Sequence, residues 1–103
     1  MTNAKPTNDA RIRAAILRVP VGQVATYGSI AKAAKLPGAA RRVAMVLHGA
    51  IGLPWHRILG AGGEIKLRGE AYFEQRFRLE SEGVTFHGRR VNMKKHEHKF
   101  IAR

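Results

Sequence analysis

The stretch TYGSIAKAAKLPGAARRVAMVLHG, residues 26–49, predicts two short helices joined by a tight turn. Thr26 is a favoured N-cap residue for the first helix, which we expect to run over residues 27–35. Residues 36–38, Leu-Pro-Gly, end that helix, and the second follows over residues 39–49. Two short helices connected by a few residues that include Pro or Gly are typical of a helix-turn-helix unit.

The second of these helices has two contrasting faces at about 3.6 residues per turn. One face is apolar and is expected to pack on the core: Val43, Val46, Leu47 and Ala50. The opposite face carries small, soft or basic side chains: Arg41, Ala44, Met45 and His48, with Arg42 at its flank. Small side chains beside a single long cation would let the helix approach DNA closely, although an ordinary solvated helix face has the same composition.

Outside this unit the chain predicts a mainly α-helical domain with short strands. The expected elements are a helix over residues 8–18, an extended segment over 55–59, a turn over 60–63, a short strand over 64–67 and a helix over 69–82 that Gly83 ends. Residues 1–7 are expected to form a flexible N-terminus, and residues 8–86 the folded domain. Residues 87–103 are expected to form a basic C-terminal tail, disordered or loosely packed, from which Val91 and Phe100 could still dock on the core.

The composition points to a polyanionic partner. The chain has 103 residues, with 19 Lys and Arg against 7 Asp and Glu, so its formal net charge is +12 at pH 7. A charge of this size destabilises the compact state by self-repulsion, which makes nucleic acid the natural partner. A solubility device or an anionic membrane surface would also explain the charge. The cations are spread along the chain rather than gathered on one amphipathic helix, which weakens the membrane interpretation.

The chain has no cysteine, and a membrane span or a signal peptide is not expected from its sequence. Disulfides, thiolate metal sites and a cysteine nucleophile are therefore excluded. Three histidines of the tail resemble metal ligands but lack a ligand cluster with closed spacing: His87, His96 and His98. We expect no metal, no cofactor and no membrane contact, and a bacterial cytoplasmic, nucleoid-associated protein.

The stretch Pro54-Trp55-His56-Arg57 is the most informative for chemistry. A tryptophan beside a proline, a histidine and an arginine is consistent with a core anchor that has a salt-bridged neighbour. It is equally consistent with a platform, because the indole offers a wide apolar face for stacking against a nucleobase. These four residues alone leave both interpretations open.

Four blocks of the sequence, in order, resemble the C-terminal DNA-binding domain of the O6-alkylguanine-DNA alkyltransferases. They are VPVGQVATY at residues 19–27, AARRV at 39–43, LPWHRI at 53–58 and ESEGV at 80–84. Within that superfamily the chain is similar to the alkyltransferase-like proteins, over about residues 10–86. The resemblance implies a small winged-helix-like domain built around a helix-turn-helix.

The resemblance also implies that the chain has lost the family's chemistry. In the alkyltransferases the central motif is Pro-Cys-His-Arg, whose cysteine accepts the alkyl group while a glutamate-oriented histidine helps to remove the thiol proton. Here His56 and Glu82 match the histidine and the glutamate, but Trp55 stands at the cysteine position. An indole is not a useful nucleophile, so the motif is expected to be vestigial and alkyl transfer is not expected.

The resemblance implies that recognition of DNA is retained. It implies that the helix beginning at Ala39 enters the minor groove, where the target nucleotide is turned out of the duplex. Arg41 matches the arginine that replaces the flipped base, and Tyr27 matches the tyrosine that helps to rotate the 3′ phosphate. The other residues expected at the DNA are Arg42 and Met45. The lesion pocket is expected to consist of Tyr27, Trp55, Leu67, Arg68 and Gly69.

The leading hypothesis is a monomeric, non-enzymatic sensor that binds O6-alkylguanine in double-stranded DNA and hands the site to nucleotide excision repair proteins. The first alternative is a base-processing enzyme, a glycosylase or a hydrolase, in which His56 and Glu82 activate water. The second alternative is a helix-turn-helix transcription factor that reads the major groove.

Overall fold

The computed structural model describes residues 5–101 and is mainly α-helical. Its helices are α1 (Asn8–Leu17), α2 (Tyr27–Ala33), α3 (Ala40–Leu47), α4 (Glu70–Ser81) and α5 (Met93–His96). Its strands are β1 (Ala25–Thr26), β2 (Ile58–Leu59), β3 (Phe86–His87) and β4 (Arg90–Val91). The predicted fold class, mainly α with short strands, is confirmed. Residues 1–4 of the expected flexible N-terminus lie outside the described residues.

The predicted helix-turn-helix unit is formed by α2 and α3. Thr26 Oγ1 accepts from the Ser29 amide at 3.0 Å, and Ser29 Oγ accepts from the Thr26 amide at 2.9 Å, which completes a capping box. After α2, Lys35 takes a positive φ of 62°. Arg11 of α1 donates to the carbonyl groups of Ala34 at 3.0 Å and Lys35 at 3.1 Å, so these two carbonyl oxygens just after the helix have hydrogen-bond donors. Both helices are slightly shorter than predicted.

A first hydrophobic core lies between α1, α2 and α3. Its completely buried side chains come from all three helices: Ile12, Ile16, Ile30 and Val43. On α3 the predicted apolar face is confirmed for Val43 and Val46, which are buried. The residues predicted for the opposite face are exposed: Arg41, Ala44, Met45 and His48. One face of α3 therefore anchors the helix and the other is presented to solvent.

A short parallel pairing joins this unit to the middle of the chain. In it Ala25 lies opposite Ile58, and Thr26 lies opposite Leu59. The predicted extended segment over residues 55–59 is correct only for β2, because Trp55–Arg57 form a 3-10 turn. The pairing brings the start of α2 next to the residues that follow the Pro-Trp-His-Arg stretch.

The predicted strand over residues 64–67 is wrong. Within the described chain, Glu64 is the one residue of this segment that forms β-bridges, to Gly60 and to Arg90. The preceding turn, Ala61–Gly63, is formed as predicted. Residues 65–67 form no β-bridge, and Ile65 is instead buried in the second core.

Helix α4 closes a second core. The buried members of this core are Val24, Leu59, Ile65, Tyr72, Leu79, Val84 and Val91. Gln75 is also buried, and its Nε2 donates to the carbonyl groups of His56 and Ile58, both at 3.1 Å. Phe73 and Phe77 point outward and are each 69% exposed. Helix α4 thus buries a polar amide and exposes two aromatic rings, which explains why its apolar residues form no single stripe.

The C-terminal segment is folded, and the prediction of a disordered or loosely packed arm is wrong for residues 87–101. Strands β3 and β4 form an antiparallel hairpin, and α5 follows directly. Val24 then holds the chain beyond α5: its amide donates to the His96 carbonyl at 2.9 Å, and its carbonyl accepts from the His98 amide at 2.8 Å.

Two apolar side chains of this segment pack against the cores of the domain. Val91 is 3% exposed in the second core, and Phe100 packs against the first, which is the alternative the sequence left open. The Gly63 backbone lies so close to β4 that a Cβ there would be 2.8 Å from the Val91 carbonyl oxygen. The cations Lys94, Lys95 and Lys99 remain exposed. Amino-acid composition predicts the exposed cations, but it does not predict the apolar contacts by which this segment packs on the cores.

The histidines at the end of the chain have structural partners. His96 Nε2 accepts from the Thr85 amide at 3.0 Å, and His98 Nδ1 lies 2.7 Å from Gln23 Oε1. Among residues 5–101, no group of three or more His, Cys, Asp or Glu side chains is placed to hold a metal ion. In the same part of the chain, no helix is long and apolar enough to cross a membrane.

Candidate nucleic-acid interface

The Glu82 carboxylate is the centre of a polar cluster beneath Trp55. His56 Nε2 lies 2.7 Å from Glu82 Oε2. Arg57 adds a two-pronged contact, with Nη2 at 2.8 Å and Nε at 3.2 Å from the same oxygen. The Gly22 amide donates to Oε1 at 3.1 Å. The predicted pair of His56 and Glu82 is therefore brought together by the fold, and two further donors share the carboxylate.

This arrangement fixes the charge of Glu82. Burial raises the pKa of the carboxyl group, but hydrogen bonds from Arg57, His56 and Gly22 outweigh burial and lower the pKa to about 2. Glu82 is therefore ionised at neutral pH and acts as a hydrogen-bond acceptor only. Because an ionised carboxylate cannot donate, His56 Nε2 carries a hydrogen atom.

Arg57 links this cluster to the loop that leads into the helix-turn-helix. Its Nη1 donates to the Val19 carbonyl at 2.9 Å, while its other nitrogens hold Glu82. The side chains of Arg57 and Glu82 are each 14% exposed, so the pair is largely sheltered from water. The sequence suggested a salt-bridged neighbour of the tryptophan, but it gave no signal for this link to Val19.

Trp55 is half-buried on the 3-10 turn that also carries His56 and Arg57. Its ring meets the His56 ring edge to face, with centroids 6.0 Å apart. The Arg78 guanidinium of α4 lies 5.5 Å from the centre of the indole. Sequence reasoning missed Arg78, because an arginine on an exposed helix face gives no signal of a stacked partner. Trp55 is thus oriented by neighbours on two elements.

Tyr27 begins α2 immediately after the capping residue Thr26 and is half-buried. Burial raises the pKa of its hydroxyl group, so this group stays protonated and can donate a hydrogen bond at neutral pH. A donating hydroxyl at the start of the helix-turn-helix is compatible with the predicted phosphate contact, which stays a prediction.

The exposed face of α3 holds the residues predicted to enter DNA. Met45 is 61% exposed, and Arg41 is exposed at the start of the helix. Arg42 differs from Arg41, since its Nε lies 2.7 Å from Asp9 Oδ1 of α1. The structure therefore presents Arg41 and Met45 to solvent and ties Arg42 to a neighbouring helix.

Leu67, Arg68 and Gly69, predicted for the lesion pocket, line one cavity of about 490 Å³. The other residues of its lining are Glu64, Ile65, Lys66, Tyr72, Phe73 and Arg89. A second cleft, of about 480 Å³, is lined by His56, Glu74, Phe77, Arg78, Ser81 and Glu82. Tyr27 and Trp55 line neither of these two cavities. Their place in the lesion pocket is therefore still a prediction.

Comparisons with known proteins identify the kind of domain. The family model described as the 6-O-methylguanine DNA methyltransferase DNA-binding domain matches residues 8–84. The chain is 42% identical over 77 residues to a DNA base-flipping protein of Vibrio parahaemolyticus, an alignment that covers 72% of this chain and 77% of that protein. It is 40% identical over 78 residues to alkyltransferase-like protein 1 of Schizosaccharomyces pombe, covering 71% and 72%.

The same likeness is found among solved structures. The crystal structure of S. pombe Atl1 in complex with damaged DNA containing O6-carboxymethylguanine superimposes with a TM-score of 0.78 and 28% sequence identity. The superposition covers 89% of this chain and 94% of that one.

Proposed function

The chain belongs to the family defined by the 6-O-methylguanine DNA methyltransferase DNA-binding domain, and from this premise we propose that it is a non-enzymatic, alkyltransferase-like reader of damaged DNA. In this function it binds O6-alkylguanine in duplex DNA, turns the base out and holds it. The observation that carries the proposal is the site itself. Trp55 stands at the nucleophile position, while His56 and Glu82 keep the contact that the enzymes' motif implies.

Binding to duplex DNA is supported by charge and by the geometry of α3. The net charge of +12 favours a polyanion, and the exposed face of α3 presents the cation of Arg41 to solvent beside small or flexible side chains. In this proposal Arg41 fills the gap that the flipped base leaves, since a planar guanidinium can both stack and donate hydrogen bonds. Tyr27 contacts the rotated phosphate, and Met45 lies along the groove.

The lesion pocket is proposed to form between the loop of Leu67, Arg68 and Gly69 and the side chains of Tyr27 and Trp55. Arg68 would lie over the plane of the flipped base and contribute a cation–π contact of roughly 0.5–2 kcal/mol. Because the electrostatic potential of a guanine changes on O6-alkylation, this contact would help to separate the lesion from the normal base.

The form of the base-processing alternative in which Glu82 itself takes the proton is disfavoured by the state of Glu82. A general base must be free to take a proton from water. Here the carboxylate is engaged by Arg57, His56 and the Gly22 amide, and its pKa of about 2 makes it a weak base. We therefore propose that Glu82 orients His56 and the Trp55 turn rather than taking a proton itself.

A protein that binds a lesion without removing it must pass the site on. We propose that nucleotide excision repair proteins receive it, and that the chain acts as a monomer in the bacterial cytoplasm, at the nucleoid. The hand-over is supported by the absence of a cysteine acceptor from the sequence, since a reader without that thiol cannot take up the alkyl group itself.

The test is competition binding by fluorescence anisotropy. Duplexes of one sequence would carry O6-methylguanine, a larger O6-alkyl group or guanine at the central position. We expect both lesion duplexes to bind at least tenfold more tightly than the guanine duplex, about 1.4 kcal/mol. Arg41→Ala should lower lesion affinity strongly, whereas the matched control Arg13→Ala, an exposed arginine of α1, should change it little. Equal affinity for lesion and guanine duplexes would contradict the proposal.

A further inference from the structure

The cavity beside the Leu67–Gly69 loop has more cationic and aromatic side chains than a contact with one flipped base requires. Its cations are Lys66, Arg68 and Arg89, and its aromatic rings are Tyr72 and Phe73. The single acidic side chain in its lining is Glu64, which leaves the lining with a formal charge of +2. Lys66, Arg89 and Phe73 have no part in the function proposed above.

The three cations reach the cavity from two parts of the chain, Lys66 and Arg68 from the loop before α4 and Arg89 from the C-terminal hairpin. Arg89 comes from the turn between β3 and β4, and its guanidinium lies 4.6 Å above the Tyr72 ring, which fixes its position. Lys66 Nζ is 3.4 Å from Glu64 Oε1, a long contact on a side chain that is 56% exposed. Stacking leaves the N–H groups at the edge of the Arg89 guanidinium available to an anion.

The aromatic part of the cavity combines a buried ring with an exposed one. Phe73 meets the buried Tyr72 ring edge to face, with centroids 5.2 Å apart and an interplanar angle of 89°. Its own ring is 69% exposed at the cavity wall. Cations that bind phosphates beside an exposed aromatic ring are the combination that proteins use to bind nucleic-acid strands without reading sequence.

We propose that this cavity is a second DNA contact, which binds one phosphodiester of the lesion-bearing strand next to the flipped nucleotide. Lys66 and Arg89 bind the phosphate, and the adjoining nucleoside lies against Phe73. The folded C-terminal hairpin therefore belongs to the DNA-binding surface, because it supplies Arg89. The inference rests on the proposed function, since it places the strand beside the Arg68 loop.

A phosphate site and a base site predict different effects when the same residues are substituted. Neutralising one phosphate of B-DNA changes the slope of log K against log salt concentration by about 0.9. That contribution is the same for damaged and intact DNA. If the cavity instead received the alkylated base, removing its cations would lower the preference for the lesion and leave the slope almost unchanged.

The first experiment measures this salt slope for Lys66→Gln/Arg89→Gln on lesion and guanine duplexes. We expect its magnitude to fall by about 0.9, the contribution of one phosphate, with the ratio of the two affinities unchanged. The control Lys5→Gln/Arg13→Gln removes the same charge from exposed positions outside the cavity and should leave the slope near the wild-type value. An unchanged slope, an equal fall in the control, or loss of lesion preference would overturn the proposal.

The second experiment compares Phe73→Ala with Phe77→Ala. Both rings are 69% exposed on α4, but only Phe73 lines this cavity. We expect Phe73→Ala to weaken binding to both duplexes at least about fivefold without changing the salt slope, as loss of a stacked ring does. Equal effects of the two substitutions would overturn the aromatic contact. Thermal unfolding of each variant shows that it is folded.

Failure of the proposed function has a different signature. If the wild-type protein bound lesion and guanine duplexes equally, the lesion reader would be refuted. The salt slope of Lys66→Gln/Arg89→Gln on the guanine duplex would still decide whether the cavity binds DNA.

Discussion

Glu82 is the residue on which the geometry around Trp55 depends most. One carboxylate holds the His56 ring, the Arg57 guanidinium and the Gly22 amide, and so connects the Trp55 turn with the loop before α2. Desolvation offsets much of the attraction within such a sheltered ion pair, but removing one partner leaves the other charge buried without its partner. Its loss would therefore affect both folding and the placement of Trp55.

The depressed pKa of Glu82 predicts an acid-dependent loss of stability. A carboxyl group whose folded pKa, about 2, lies below its ordinary value of 4.5 stabilises the fold above the higher value. That contribution, on the order of 3 kcal/mol, is lost as pH falls from about 4.5 to 2. Urea unfolding of Glu82→Gln should show its largest deficit against wild type at neutral pH and a shrinking deficit toward pH 2.

The matched control is Glu80→Gln. Glu80 forms an exposed pair with Arg76, at 3.2 Å, and pairs of this kind contribute little. Its deficit should be small at every pH. A Glu82→Gln deficit that stays constant from neutral pH to pH 2 would contradict the assignment of Glu82 as the ionised centre.

Trp55→Cys tests whether the pocket still delivers a base to the old nucleophile position. The new thiol would stand on the turn that also carries His56, whose contact with Glu82 does not involve Trp55. We expect the variant to take up a methyl group from an O6-methylguanine duplex, detected as an increase in protein mass. Trp55→Ser, which lacks the thiol, should not react. A cysteine variant that binds the lesion duplex yet stays unmodified would show that the base does not reach this position.

At the scale of elements, the sequence patterns correctly predicted those features that depend on interactions between residues close together in the chain. Thr26 and the apolar spacing behind it gave the helix-turn-helix, because a cap and a buried stripe are properties of adjacent residues. The pairing of His56 with Glu82 was also expected, but it came from the family resemblance rather than from spacing. Two contacts depend on how separate elements pack, and no local sequence pattern predicts them. They are the contact of Arg78 with the Trp55 ring and that of Arg57 with the Val19 carbonyl.

The failures of sequence reasoning have the same origin. The charge of the segment from His87 predicts an open arm, yet the segment is folded, with Val91 in the second core and the Gly63 turn close against it. In the strand predicted over residues 64–67, Glu64 alone has bridge partners, at Gly60 and Arg90. In both cases the outcome is set by contacts between residues that are distant in sequence.

Gly63→Ala tests that close contact. A Cβ at Gly63 would lie 2.8 Å from the Val91 carbonyl oxygen, and its φ of +87° is unfavourable for alanine. We expect a loss of about 2 kcal/mol or more in the free energy of unfolding, measured in urea. Gly38→Ala is the control, since its φ is +85° but nothing lies within 4 Å of the new Cβ. It should cost only about 1 kcal/mol, and equal losses would contradict a docked hairpin.

At the scale of the whole molecule, the charge is unevenly distributed. Three of the seven acidic residues, Glu70, Glu74 and Glu80, lie on α4, whereas α3 has none. On α4 the carboxylates of Glu80 and Glu74 pair with Arg76 and Arg78, whereas Arg41 is exposed at the start of α3. Exposed aromatic side chains also remain on α4, at Phe73 and Phe77, so this helix offers apolar contact area.

The central claim is that the protein binds an alkylated base and leaves it unchanged. It is tested most directly by native mass spectrometry of the wild-type chain mixed with a duplex containing O6-methylguanine. We predict a complex of one chain with one duplex, and, after denaturation, a protein and a DNA strand that both retain their original masses. A protein that gains a methyl group, or a strand that loses the methyl group or the base, would contradict the claim.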